Sequence, residues 1–268
     1  MKALPAVVAA LLLAAACAAQ AQSSATQTNS TSTTTNIPPK PPLPPPMHGW
    51  KSSISLGVTI ARGNTDTTML SATAATEKKW LQNDLAFGAD GLYGESKVPN
   101  QPQQETAETL HGFSQYNRTV VDGLYYYFRA DGFHDGIADI KYRVTLAPGV
   151  GYYFITNNTM DLSAEMGPGY IREQLDGETE SFATLRIGEK FHYNISSTAK
   201  VWEIAEYLPQ IDQFNNYIVN LELGIDAALN KKKNLSLRTI LRDSYNNVPA
   251  AGRLKNDLQI IAGLAYKF

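Results

Sequence analysis

Cysteine is nearly absent from this chain, which has one in 268 residues, Cys17. Downstream of it there can be no disulfide framework, thiol nucleophile or thiolate metal site. Charge of one sign is lacking as well, with 23 basic against 25 acidic residues. No basic face or binding motif stands out, so no nucleic-acid partner is expected. After residue 21 no apolar run reaches the ~20 residues of a membrane helix. The nucleophile-elbow pattern G-x-S-x-G does not occur, and His48, His111 and His192 have no metal-ligand spacing. Neither cofactor nor metal nor catalytic group is expected.

The segment "MKALPAVVAALLLAAACAAQAQ" has a lysine, an apolar run broken by Pro5, and Ala19-Gln20-Ala21. These are the parts of a secretory leader with an A-x-A cleavage site, so residues 1–21 are read as a signal peptide. The rival, lipoprotein processing at Cys17, fits less well because Ala14 stands where a large aliphatic belongs. Residues 22–49 form a second zone, Ser/Thr-rich and then proline-rich ("IPPKPPLPPPMHG"). It has no apolar surface to repay ordering, so it reads as a disordered periplasmic tether with a semi-rigid end. A ligand for a proline-recognising partner is the alternative.

From Trp50 onward apolar residues recur at every second position. Ile54, Leu56 and Val58 oppose Ser53, Ser55 and Gly57, and Val144, Leu146, Val150, Tyr152 and Phe154 oppose Arg143, Thr145, Gly149 and Gly151. Such alternation is a strand with one apolar face. It predicts twelve strands at about 50–62, 67–80, 83–96, 105–118, 123–134, 140–155, 159–173, 181–194, 197–208, 213–229, 235–246 and 255–268. The segments near 105–118, 197–208 and 235–246 alternate less cleanly, and Glu189 shares a face with Leu185, Ile187 and Phe191. Many segments exceed the usual five or six residues and suit a tilted membrane crossing. "LQN", "TNN" and "NKKKN" read as tight turns, whereas "KVPNQPQQ", "QLDGETE" and "NVPAAGRLK" read as longer loops. Aromatics gather toward both strand ends, as Trp50, Trp80, Tyr152, Phe154, Tyr193 and Phe268 do at one of them. Alternating connections and two aromatic girdles describe a transmembrane antiparallel up-and-down β-barrel over residues 50–268, in contact with outer-membrane lipids.

"SLGVTIARGNTDTTMLSATA", "DIKYRVTLAPGVGYYF", "AEMGPGY" and the closing "LAYKF" resemble an uncharacterised family of salt-induced outer membrane proteins of the YdiY type. The resemblance implies an outer-membrane location and brings no activity. The final aromatic on an amphipathic last strand also resembles the signal that such proteins present to the barrel assembly machinery. That resemblance gives Phe268 the role of an assembly signal.

Opposite the apolar face lie the lumen candidates Lys51, Asp84, Asp90, Lys141, Arg143, Asp161, Glu165, Glu222, Asp226, Arg238 and Arg242, joined by Lys79, Arg186, Lys190 and Asp257. Their mixed signs argue for ion pairs across a narrow bore rather than an ion-selective ring. Inward glycines, among them Gly88, Gly149, Gly151 and Gly224, are expected to leave room there. The leading expectation is a non-enzymatic barrel, either a narrow solute pore or a small-ligand-binding barrel. The alternative is a structural or envelope-stress barrel without a channel, and less favoured is a lipid hydrolase. For a hydrolase the candidates are His134 with Asp135 and either Ser96 or Ser244. Asp131, Asp135 and Asp139 lack the alternation of an EF-hand loop, so a solvated hairpin is the stronger reading.

Overall fold

The computed structural model describes residues 49–61, 66–97 and 102–268. The expected signal peptide, residues 1–21, and the expected tether, 22–49, fall outside the described residues except for residue 49. Twelve strands follow in chain order: β1 (Lys51–Ala61), β2 (Asp66–Trp80), β3 (Asn83–Lys97), β4 (Gln104–Val121), β5 (Leu124–Asp135), β6 (Ile140–Thr156), β7 (Met160–Leu175), β8 (Glu178–Asn194), β9 (Ala199–Pro209), β10 (Tyr217–Ala228), β11 (Leu235–Asn246) and β12 (Asn256–Lys267). Each pairs antiparallel with its sequence neighbours, and β1 closes on β12. The molecule is a closed up-and-down barrel with no helix among the described residues.

The near rim holds the start of β1, the end of β12 and the turns 81–82, 122–123, 157–159, 195–198 and 229–234. The far rim carries 136–139, 176–177, 210–216 and 247–255 among its connections. Two expected lengths are reversed. "QLDGETE" is not a long loop, because β7 and β8 run on to a two-residue turn, Asp176-Gly177, with φ of 51° and 79°. That geometry belongs to the Asp-Gly hairpin turn, whose twist matches the flanking strands. "NKKKN" is not a tight turn, because Asn230 Oδ1 accepts from the Asn234 and Leu235 amides and rounds off a six-residue connection, 229–234.

The pleat sorts the side chains as the alternation requires. Leu56, Val58, Phe128, Val150, Phe154, Leu258, Ile260 and Leu264 are exposed on the outside. Arg186, Asp226, Glu165 and Tyr125 are buried inside, each at 3% exposure or less. A continuous outer belt of this kind far exceeds the apolar patches of water-facing monomers.

Two places in the wall are weaker. The β1–β12 ladder spans only Ser53↔Lys267 to Leu56↔Leu264, continued by the reciprocal backbone bonds of Ser52 and Phe268 (2.9 and 3.0 Å). Phe268 therefore sits beside Ser52, close to Trp50. On β6–β7 the ladder stops after Leu146↔Tyr170 and resumes at Val150↔Met166 in the same register. Pro148 and Pro168 stand opposite each other in that gap, neither having an amide to give. A Cβ on Gly167 would collide with the Pro148 carbonyl oxygen, so the two strands close up through the glycine. Gly167→Ala is expected to cost about 1–3 kcal/mol as an overpacked contact. Gly132→Ala, which meets nothing within 4 Å, should be close to neutral. Urea midpoints of the refolded barrel check both, and equal midpoints would remove the close-packing account.

Candidate functional site: an ion-paired lumen

Glu165 on β7 is the hub of the interior. Its Oε1 accepts from Gln115 Nε2 (2.7 Å), Tyr125 Oη (3.0 Å) and Lys190 Nζ (2.9 Å), and its Oε2 accepts from Arg186 Nη1 at 2.8 Å. Two cations and two neutral donors on one buried carboxylate satisfy it fully, which is the condition for holding a charge in so dry a place. Arg186 also gives Nε to Glu206 Oε1 at 2.6 Å and lies over the Tyr127 ring. Arg129 extends the array by donating to Gln115 and to both oxygens of Asp131.

From Asp131 the network crosses the barrel. His111 stands between Asp131 (3.4 Å) and Asp90 (3.1 Å), and Arg242 on β11 reaches Asp90 on β3 with Nη1. Arg242 Nε continues to Glu222 at 2.8 Å, and Glu222 accepts from the Trp202 indole at 2.7 Å. Strands β11 and β3 are separated by β12, β1 and β2, so the Arg242–Asp90 pair is a chord across the bore. Nearer the first rim, Asp226 takes Arg238 at 2.9 Å and Lys267 at 3.2 Å.

The remaining sequence candidates lie nearer the strand ends. Lys51 approaches Glu77 at 3.8 Å, Lys79 pairs with Asp84 at 3.1 Å, and Asp161 accepts from Thr156. Arg143 pairs with Glu173 near the far rim, and Asp257 is exposed. Lys141 stays out of the network: a bulge between Ile140 and Tyr142 leaves it exposed and turns Ile140 to the buried side.

The hydrolase candidates are not brought together. His134 Nδ1 lies 2.9 Å from the Lys141 carbonyl oxygen, Asp135 Oδ1 accepts from the Ile137 and Ala138 amides, and Ser244 donates to Asn220. Asp131 and Asp139 are engaged at different places, with Arg129 and Arg253 respectively. Among the described residues no group of three metal-ligating side chains converges.

Sequence reasoning missed His111, Gln115, Arg129, Asp131 and Glu206. They lie on β4, β5 and β9, and in β4 and β9 polar residues occupy both faces. Glu189 faces outward, as its parity demanded, and is covered to 7% exposure. Its ladder partner is Ala205, two residues from Glu203, which is equally covered. Glu189 Oε2 and Glu203 Oε1 have no hydrogen-bond partner, and we have no physical account of this pair.

The family model described as protein of unknown function, DUF481, matches residues 54–268. The chain belongs to that family. No curated protein matches it in sequence. Solved structures similar to this DUF481 barrel include the NanC porin, at 8% identity and a TM-score of 0.48 over 81% of this chain and 100% of that one. The KdgM porin is similar at 7% identity and a TM-score of 0.42, over 82% and 99% of the two chains. The translocator domain of the autotransporter NalP from Neisseria meningitidis is similar at 14% identity and a TM-score of 0.40, over 82% and 87%. No solute or role is carried over from any of them.

The lumen of the DUF481 barrel is lopsided. On the β4–β10 side large side chains fill it, and rings lie over glycines of neighbouring strands. A Cβ on Gly151, Gly149, Gly88 or Gly224 would strike Tyr125, Tyr127, Phe113 or Trp202. The room expected at those glycines is taken up by aromatic rings, as when an aromatic shields a strand glycine from across the ladder. On the β1–β3 side charged residues stand toward the near rim, and the inward residues of mid β1 and mid β2 are small, Ser55 among them being buried. Ser53, Ser71 and Thr73 are half-buried and Ala75 is exposed. The inward face is thus least covered around Ala75 on β2, across the bore from the packed hub, with the Arg242–Asp90 chord between the two sides.

Proposed function

We propose that this chain is an outer-membrane barrel whose lumen forms a narrow polar passage for small solutes along β1–β3. The leader expected from the sequence and the continuous apolar belt support the location, since lipid is the solvent such a belt requires and a closed sheet is the only strand structure that spans it. The observation that carries the passage is the contrast between the two sides of the lumen. Glu165 and Arg186 are 3% and 2% exposed, whereas Ala75 opposite them is open. Hydroxyls of Ser71 and Thr73 can replace part of a solute's hydration shell, and the chord bearing Arg242 and Asp90 offers both signs of charge. Mixed charge selects against bulk rather than against one ion.

The test is single-channel conductance of purified protein in planar bilayers. We expect small, weakly selective steps that grow about two-fold or more in Arg242→Ala, because deleting the chord removes the inner wall of the passage. Silence from both proteins would remove the pore reading. The packed side would then favour the second reading, a stiff non-conducting barrel in keeping with the salt-induced resemblance of the sequence.

A further inference from the structure

The far mouth is bridged from side to side. The β5–β6 connection, 136–139, and the β11–β12 connection, 247–255, leave the barrel six strands apart in a ring of twelve, so they begin diametrically opposite. Yet Arg253 of one reaches Asp139 of the other, with Nε and Nη2 both 2.6 Å from Oδ2. A round twelve-strand barrel tilted by ~40° with strands ~4.8 Å apart would have a backbone diameter of about 24 Å, and the Arg242–Asp90 contact shows that this one is flattened. Arg253 stands three residues before Asn256, a stretch that extends about 10 Å at most, so its side chain reaches Asp139 only if the loop lies over the opening. Ala250 in that loop is 4% exposed, so the loop is packed rather than splayed into solvent.

The two partners are held differently. Asp139 sits on a fixed post: Asp135 ties the Ile137 and Ala138 amides, Gly136 N donates to the Glu108 carbonyl, and the Asp139 carbonyl accepts from Asp176 N. The 247–255 loop is fastened at its base, by Asn246 N to the Lys255 carbonyl, Asn247 N to the Tyr217 carbonyl and Asn247 Nδ2 to the Asn215 carbonyl. Beyond the base its hold on the opposite wall is the Arg253–Asp139 pair, placed just after Gly252 at φ 77°. Both side chains of that pair are more than 40% exposed, and an ion pair this wet breaks and reforms readily.

We infer that the β11–β12 loop is a lid over the far mouth, latched by Arg253 on Asp139, and that release of the latch admits solutes to the lumen. This rests on the passage proposed above, though the lid itself can be read without conduction.

The mature chain lacks cysteine, so one reporter thiol can be placed in the lumen by Ser71→Cys, on the far side of the Arg242–Asp90 chord. Intact cells are treated with a membrane-impermeant thiol reagent, and the labelling rate is compared in three backgrounds. These are the unaltered latch, Arg253→Glu, and Arg253→Glu with Asp139→Arg. Arg253→Glu should label about ten-fold faster, the ratio that reversing one half-exposed pair supplies, and the double exchange should return the slow rate. Unboiled gel migration confirms that all three are folded barrels. Equal rates in the three backgrounds, including no labelling in any, would overturn the lid. A barrel silent in bilayers that still shows the three-way pattern would keep the lid and lose the pore.

Discussion

Glu165→Gln is expected to be among the most damaging single substitutions in the barrel, lowering stability by about 3–5 kcal/mol. The glutamine matches the shape and still accepts hydrogen bonds, so lost packing is not the cause. What it removes is the negative charge that Arg186 and Lys190 share, and the Arg186 side chain is only 3% exposed. Arg186 keeps Glu206, whereas Lys190 is left with the neutral Gln115 oxygen at 2.9 Å. Lys190 is 23% exposed, so water offsets part of its loss. Arg186, however, is left sharing a dry site with half its counter-charge gone, and an under-compensated buried cation costs more than the pair contributes when whole. The triple change Glu165→Gln, Arg186→Met, Lys190→Met should therefore recover much of the loss, because no charge remains to be compensated. Urea unfolding of the refolded protein in detergent measures both. A loss below about 1 kcal/mol for the single change would mean that water reaches the hub and the β4–β10 side is not packed.

The same hub shows what the sequence could and could not convey. Glu165 and Asp90 lie on strands with clean alternation, so parity alone put them opposite the apolar face. Arg242 was placed there although its own segment, 235–246, alternates less cleanly. Strand number, pairing order and closure follow from the same period of two, because each segment with an apolar face had to find two neighbours. His111 and Gln115 were hidden for the opposite reason. Their strand, β4, has Ser114, Tyr116 and Arg118 on its outer face, so no apolar stripe marked the inner one. Partner choice was out of reach in any case. That Arg242 meets Asp90 depends on the curvature of the closed sheet, which brings together residues far apart in the chain, and no local pattern encodes it. The Asp176-Gly177 turn is a different failure, since the Asp-Gly signal was present and was outweighed by the expectation of long loops on that rim.

Deleting Phe268 separates a structural role from an addressing one. In the barrel its backbone exchanges two hydrogen bonds with Ser52, and its ring stacks on Tyr266 with centroids 6.3 Å apart. The bonds contribute about 0.5–1.5 kcal/mol each and the ring, at the membrane interface, about 1–3 kcal/mol. Their loss loosens a β1–β12 seam that is already short, yet the pairs Ser53↔Lys267 to Leu56↔Leu264 remain to close it. In vitro, then, the truncated chain should refold from urea into detergent and show only a modestly lower unfolding midpoint. In cells the expected outcome is much larger if the terminal aromatic is what the assembly machinery reads: truncated protein degraded or stranded in the periplasm. A conservative Phe268→Tyr should restore assembly, because it keeps an aromatic ring at the terminus. Cell fractionation with surface labelling, run beside in vitro refolding, checks the two halves together. Normal surface assembly of the truncated chain would reduce Phe268 to one rim aromatic among several, and failure to refold in vitro would move the defect from addressing to the seam itself.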